Sequence, residues 1–374
     1  MVPVNFTTRA DGVETTAYSI RLTQSVFRWD RWVALRRADR EAARAEIDYR
    51  AAEQDLMARV AQRYFDVLAA QDTVEAAEAA LEAFERQLEQ QEKRFEVGLV
   101  AITDVQEARA ARDQASATLI AAKRQLATAR EFLREITGEP IAELQGPGPD
   151  MPLQTPIPDT EDAWVQSALD QNLALLSARL ASEIAREDVR SARAGHLPTV
   201  DLVVSHSLSE DRGDQVTTRG NVSSMSPADM EINQDVVALQ FNVPIYSGGA
   251  TSSRVRQAVY QHRAARERLE RTARETEREA RDSYLGVLSE ISRVRALRQA
   301  LESSQTALQA TEAGFEVGTR TTVDVLDARR RLFEAQTNYA RSRYDYIINV
   351  VRLKRAAGTL SAEDLEEVNG WLME

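Results

Sequence analysis

The stretches RFEVGLVAITDVQEARA (94–110) and GFEVGTRTTVDVLDARRRL (314–332) lie 220 residues apart and follow one pattern. Phe95-Glu96-Val97-Gly98 matches Phe315-Glu316-Val317-Gly318, Asp104-Val105 matches Asp324-Val325, and Ala108-Arg109 matches Ala328-Arg329. Between 81–109 and 301–329, 12 of 29 positions are identical. Upstream at the same offset, Tyr64 matches Tyr284 and Val67-Leu68 match Val287-Leu288. An internal duplication of this length decides the fold and is read first.

Each copy is built for long helices. From Arg31 to Thr137 there is no proline and one glycine, Gly98; from Ala250 to Ala357 there is again no proline. Val60, Val67, Val74, Leu81, Leu88 and Phe95 recur every seven residues, as do Val287, Val294, Leu301, Leu308 and Phe315. A seven-residue apolar period specifies supercoiled packing of helices. The pattern predicts helices over 30–97 and 250–315, each roughly 100 Å long, and returning helices over 103–137 and 322–356 of about half that. One further helix is expected over 161–194, and end-to-end stacking of the half-length helices predicts an elongated body. Six of the ten prolines fall between Pro140 and Pro158, which marks a linker. The expected organisation is a first repeat (1–137), a linker (138–160), a second repeat (161–357) and a C-terminal segment (358–374).

Three segments alternate instead. In 17–27, 199–209 and 236–246 apolar and polar residues take turns, as in Val200, Leu202, Val204 and His206 against Thr199, Asp201, Val203 and Ser205. Ten or eleven such residues suit a tilted strand of a membrane barrel. They equally suit a soluble sheet packed on a helix, and patterning alone does not separate the two. Residues 5–16 and 210–235 are polar and predict long loops on one side of the strands, which favours a barrel. At both strand-to-helix junctions the helix is expected to follow without a loop.

Composition excludes several classes. There is no cysteine, so no disulfide, thiolate metal site or cysteine nucleophile. Three histidines make a histidine metal cluster improbable, and no metal or other cofactor is expected. Forty-seven basic against 59 acidic residues give a net charge of −12, the wrong sign for a nucleic-acid partner. No nucleophile–base set or phosphate loop appears, so no enzyme is expected.

The order strand, long helix, VG turn, returning helix, linker, helix, strand–loop–strand, long helix, VG turn, helix resembles the TolC family of outer-membrane efflux channels, nearest its TolC branch. The motifs LTQSVF (22–27), GHLPTVDL (195–202) and VPIYSGG (243–249) carry the likeness together with the two VG stretches. The resemblance implies a membrane β-barrel plus a long α-helical coiled-coil barrel, shared by a homotrimer as one barrel and one tunnel. It implies an outer-membrane location with a periplasmic tunnel. The partners would be outer-membrane lipid, a periplasmic adaptor and an inner-membrane pump of the RND, ABC or MFS type, in drug efflux or type I protein secretion.

The resemblance also implies site residues. Asp324 and Asp327, three apart on one helix face, would form the entrance ring and favour cations. A bare DxxD is more often a solvated face or a charge at a helix start. Thr103, Asp104, Arg320, Phe315, Gln87 and Glu312 fall at gate positions. Phe315 stands where the family has a tyrosine, so one gate hydrogen bond is lost and closure leans on Arg320 and Asp104. Gly98, Leu99, Gly318 and Thr319 mark the helix tips where an adaptor would dock; the glycines also suit ordinary helix C-caps. Family members begin with a signal peptide, helix and strand that are absent before Met1, which suggests a chain called too short at its start and nine rather than twelve barrel strands. The competing reading is a non-channel periplasmic or cytosolic coiled-coil scaffold.

Overall fold

The computed structural model describes residues 6–139, 143–148, 151–227 and 229–372. The elements in order are β1 (Phe6–Phe27), α1 (Trp29–Glu96), α2 (Ile102–Thr137), α3 (Glu161–Gln171), α4 (Leu173–Ala194), β2 (Thr199–Arg219), β3 (Val222–Pro227), β4 (Met230–Asn242), α5 (Ala250–Glu316), α6 (Thr322–Ala357) and α7 (Ala362–Asn369). The long and returning helices end within a residue or two of the expected positions. Two compact units form, one within 1–42 and 180–266 and the other within 43–179 and 267–374.

The first unit is a sheet together with the start of α1, the end of α4 and the start of α5. β2 is central: β1 pairs along one side, and β4 and then β3 pair along the other, all antiparallel. The expected loops are strand instead. Residues 6–16 belong to β1, and 210–227 and 229–235 hold the end of β2, β3 and the start of β4; residues 5 and 228 lie outside the described residues. The reason is chemical. At Thr217↔Ser224 and Thr218↔Ser223 hydroxyl residues stand opposite each other, with a 3.0 Å bond between the Thr218 and Ser223 hydroxyls. Both faces are polar there, so the period-two hydrophobic signal disappears although the ladder continues. Gly220, at φ 65°, turns the hairpin.

Of the two strand-to-helix junctions, the first is as expected and the second is not. Only Arg28 separates β1 from α1, and it pairs with Asp30 (3.3 Å) and Asp201 (3.5 Å). Seven residues, 243–249, separate β4 from α5. Pro244 has no N–H to extend a ladder, so β4 stops at Asn242 rather than 246. Below the sheet, Glu187 is 1% exposed and is held by Arg36, Arg40 and Arg190 at 3.8, 3.3 and 2.5 Å, as a buried charge must be.

The second unit is helical. Its core joins Phe65 and Leu68 of α1, Trp164 of α3, Val287, Ile291 and Val294 of α5, and Tyr344, Tyr346, Ile347 and Leu353 of α6. The duplicated tyrosines pin the linker: Tyr64 Oη donates to the Gln145 carbonyl (2.8 Å) and Tyr284 Oη to the Asp159 carbonyl (2.5 Å). The helix expected over 161–194 is broken at Asn172. Its side chain donates to the Ala356 carbonyl (2.9 Å) and accepts from Leu175 N (3.0 Å), capping α4. Gly358 makes the break possible, because a Cβ there would fall onto the Gln171 carbonyl. The heptad seam is buried at Val67, Val74, Leu88, Val287 and Val294 but opens toward the tips, where Phe95 is 43% exposed.

Candidate functional site at the helical tips

Two tips share one construction. Gly98 and Gly318 take φ 75° and 78°, the left-handed region that suits glycine after a helix. Gly98 N donates to the Phe95 carbonyl (2.9 Å) and Leu99 N to that of Arg94 (2.9 Å). Gly318 N and Thr319 N do the same to Phe315 (3.1 Å) and Gly314 (2.8 Å). The turn also leaves Val97, Leu99 and Val317 about 70% or more exposed, at 69%, 74% and 75%. At the second tip the chain folds back over Gly314, where a Cβ would stand 2.8 Å from Arg320 Cγ. Thr319 Oγ1 donates to the Gly314 carbonyl (3.0 Å).

The acidic residues begin the returning helices. Asp324 Oδ2 accepts from Thr321 N (2.8 Å) and Thr321 Oγ1 (2.9 Å), while Thr321 Oγ1 accepts from Asp324 N (3.2 Å). This reciprocal cap satisfies helix-start donors. The Thr321 backbone, then its hydroxyl, and the nearby Arg320 charge hold the Asp324 carboxyl below the usual range. Asp104 Oδ2 accepts from Ala101 N (3.1 Å), but Ala101 offers no hydroxyl in return. Asp327 is one turn on and accepts from Arg330 (2.8 Å).

A repeated ion pair ties each hairpin. Arg109 reaches Glu92 at 2.9 Å, and Arg329 reaches Glu312 at 2.7 Å. All four positions match at the 220-residue offset, so the pairing was implicit in the repeat. Arg329 also donates to the Ala83 carbonyl (3.2 Å). Gln87 is 4% and Gln91 0% exposed, and the Nε2 of each has no hydrogen-bond partner among the described residues.

The other expected gate residues are only partly brought together. Thr103 and Asp104 share the first tip and Arg320 stands at the second, but within one chain Arg320 makes no hydrogen bond or ion pair with either among the described residues. What joins the two tips is a contact that sequence reasoning missed. The Arg94 guanidinium lies over the Phe315 ring, 5.0 Å from its centre. Arg94 occupies the position matching Gly314, and no repeat argument flags a residue where the copies differ.

The sheet supplies the remaining geometry. Across its rows Tyr18, Leu208 and Asn233, then Leu22, Val204 and Val237, stand opposite one another. Leu202 with Leu239, and Val200 with Phe241, continue that face. Leu22 is 63%, Val237 75% and Phe241 65% exposed. The other face carries Arg21, Thr23 and Ser25 beside Ser205, Val203 and Asp201. One face is therefore apolar and uncovered among the described residues, and the other is polar. His206 and Asp235 interrupt the apolar face with a 2.7 Å hydrogen bond to each other. No helix among the described residues is long and apolar enough to cross a membrane.

The family model for outer membrane efflux proteins matches residues 4–139 and 164–359. The chain belongs to the outer membrane efflux protein family. It is 40% identical to the outer membrane protein TolC of Escherichia coli over 365 residues, 97% of this chain and 74% of that protein. It is 30% identical to the alkaline protease secretion protein AprF of Pseudomonas aeruginosa, over 97% of this chain and 74% of that one. Its fold matches the crystal structure of the outer membrane protein VceC of Vibrio cholerae with a TM-score of 0.74 at 19% identity, covering 95% of this chain and 87% of that one. Membership in this efflux family places the chain in the outer membrane as an exit duct.

Proposed function

We propose that three copies of this chain form one channel. In this reading their sheets close into a single barrel in outer-membrane lipid, and their duplicated hairpins line a periplasmic tunnel. The observation that carries the reading is the sheet. Its apolar face is exposed in one chain, its opposite face is polar, and β1 borders one side of β2 while β3 and β4 border the other. In hydrocarbon every backbone donor and acceptor needs a partner, so such edges are stable only when closed by further strands.

Asp324 and Asp327 then form the entrance ring. Threefold repetition multiplies their charge, and an acidic ring favours cations. Closure runs between copies: Arg320, unpaired to the first tip within its own chain, meets Thr103 and Asp104 of a neighbour, with Gln87, Glu312 and Phe315 around them. The exposed apolar turns at Gly98-Leu99 and Gly318-Thr319 receive a periplasmic adaptor, which couples the duct to an inner-membrane pump. Small molecules or, by analogy with the protease-secretion relative, proteins pass through. The repeat boundaries at 137 and 161 mark the two halves each chain contributes.

Reconstitution into planar bilayers tests this. The expected result is a trimer with cation-selective conductance, lost selectivity in Asp324→Asn/Asp327→Asn, and raised resting conductance in Arg320→Ala. A chain that stays monomeric and soluble without detergent, as a coiled-coil scaffold would, overturns it.

A further inference from the structure

We infer that the cleft between α2 and α6, floored by α1, binds drug-sized amphiphilic cations. This rests on the duct reading above and names a cargo class for it. The cleft encloses about 700 Å³, within the ~300–1,000 Å³ typical of small-molecule sites. Its floor is apolar: Ala80, Phe84, Ala115 and Leu326 are each 8% exposed, with Ala111 and Phe333 packed on them. Phe84 and Phe333 meet edge to face at 6.4 Å.

The rim is acidic. Glu107 of α2 and Asp327 and Glu334 of α6 face the cleft beside a single guanidinium, Arg330. Arg330 is committed to Asp327 at 2.8 Å. Glu107 and Glu334 make no ion pair among the described residues. Two uncommitted carboxylates over an apolar floor are complementary to a flat or greasy body carrying positive charge.

The adjoining cleft sharpens the assignment. It encloses about 490 Å³, meets the first at Thr73, and is lined by Arg63, Arg124 and Arg341 against Asp66 and Asp345. Its excess charge is positive, so a cation settles in the first cleft and not in this one. The α2–α6 groove thus changes sign along its length.

Fluorescence polarisation on the full chain in lipid nanodiscs tests the assignment, with a rhodamine-type amphiphilic cation and an uncharged analogue of the same ring system as probes. The expected result is saturable binding of the cation and about tenfold weaker binding of the neutral probe. Glu107→Gln/Glu334→Gln should weaken the cation about tenfold and leave the neutral probe unchanged. Ala111→Trp, which fills the floor, should remove saturable binding of both. Equal binding of the two probes, or undiminished cation binding in the glutamine pair, overturns the inference. Bilayer conductance of the same preparations separates the two readings. A conducting chain that binds no cation refutes the cleft and leaves the duct standing; a chain that binds the cation through these carboxylates without conducting refutes the duct alone.

Discussion

The guanidinium of Arg94, at the end of the first long helix, sits 5.0 Å from the centre of the Phe315 ring at the end of the second. The pair joins the two copies of the duplication through a position where they differ, Arg94 standing against Gly314. A cation over an exposed aromatic face contributes about 0.5–1 kcal/mol. Arg94→Ala should therefore loosen the tips and raise resting conductance in bilayers. Phe315→Tyr keeps the ring under the cation and adds a hydroxyl donor, so it should lower resting conductance. Equal conductance in both variants would count against a closing role for this pair.

The two returning helices offer a matched experiment in capping. Thr321 caps with its hydroxyl and its backbone, whereas Ala101 has only its backbone. Thr321→Ala should cost about 0.5–2 kcal/mol, and Ala101→Thr should stabilise by a comparable amount. The Asp324 carboxyl is held below its usual range, so its contribution is present above the unfolded carboxylate range. It disappears as pH falls through the lowered folded value. Thermal midpoints of the two variants over a pH series check both statements.

The twin ion pairs should not be equal in worth. Arg109 is 47% exposed and makes one bond to Glu92. Arg329 is 20% exposed and binds both Glu312 and the Ala83 carbonyl. An exposed pair contributes about 0–1 kcal/mol, while a charged hydrogen bond sheltered from water contributes about 1.5–3 kcal/mol. Arg329→Ala should thus lower the unfolding midpoint clearly and Arg109→Ala only slightly. A larger loss from Arg109→Ala would contradict the exposure argument.

What the sequence announced and what it concealed follow one physical line. The helix ends at Glu96 and Glu316 were legible because Gly98 and Gly318 punctuate proline-free, heptad-patterned runs. The strand over 210–219 was concealed because charged and other polar residues stand on both of its faces, so hydrogen bonding persists where hydrophobic alternation does not. The break at Asn172 was concealed because its cause is distant in sequence: Gly358 admits the Gln171 carbonyl, and Ala356 receives the Asn172 amide. At the tips, the family resemblance marked the acidic residues, whereas the two Glu–Arg pairings were not read from the sequence although all four of their positions repeat. The Arg94–Phe315 contact depends on a difference between the copies, and repetition is silent there.

Far from the tips, the hydroxyl of Tyr344 donates to Asp72 Oδ2 at 2.6 Å, and its ring stacks on Phe65 with centres 5.8 Å apart. Burial pushes the Asp72 carboxyl above its usual range; the Tyr344 hydrogen bond and the Arg343 charge pull against that without cancelling it. Burial, then Asp72, push the Tyr344 hydroxyl upward in turn. The sign of the pH effect follows. A carboxyl raised in the folded state keeps its proton where the unfolded chain has lost it, so folding is favoured by acid. Stability from this site is full below the unfolded carboxylate value, declines as pH rises toward the raised folded value, and is flat above it. Asp72→Asn still accepts from Tyr344 and has no proton to lose, so subtracting its unfolding midpoints from those of the natural chain should isolate that decline. Tyr344→Phe removes the bond that favours the charged form. It should widen the window and cost about 1.5–3 kcal/mol at neutral pH, with a smaller loss in acid, where Asp72 is protonated. Parallel pH curves for the natural chain and Asp72→Asn would show that the pair does not titrate with folding.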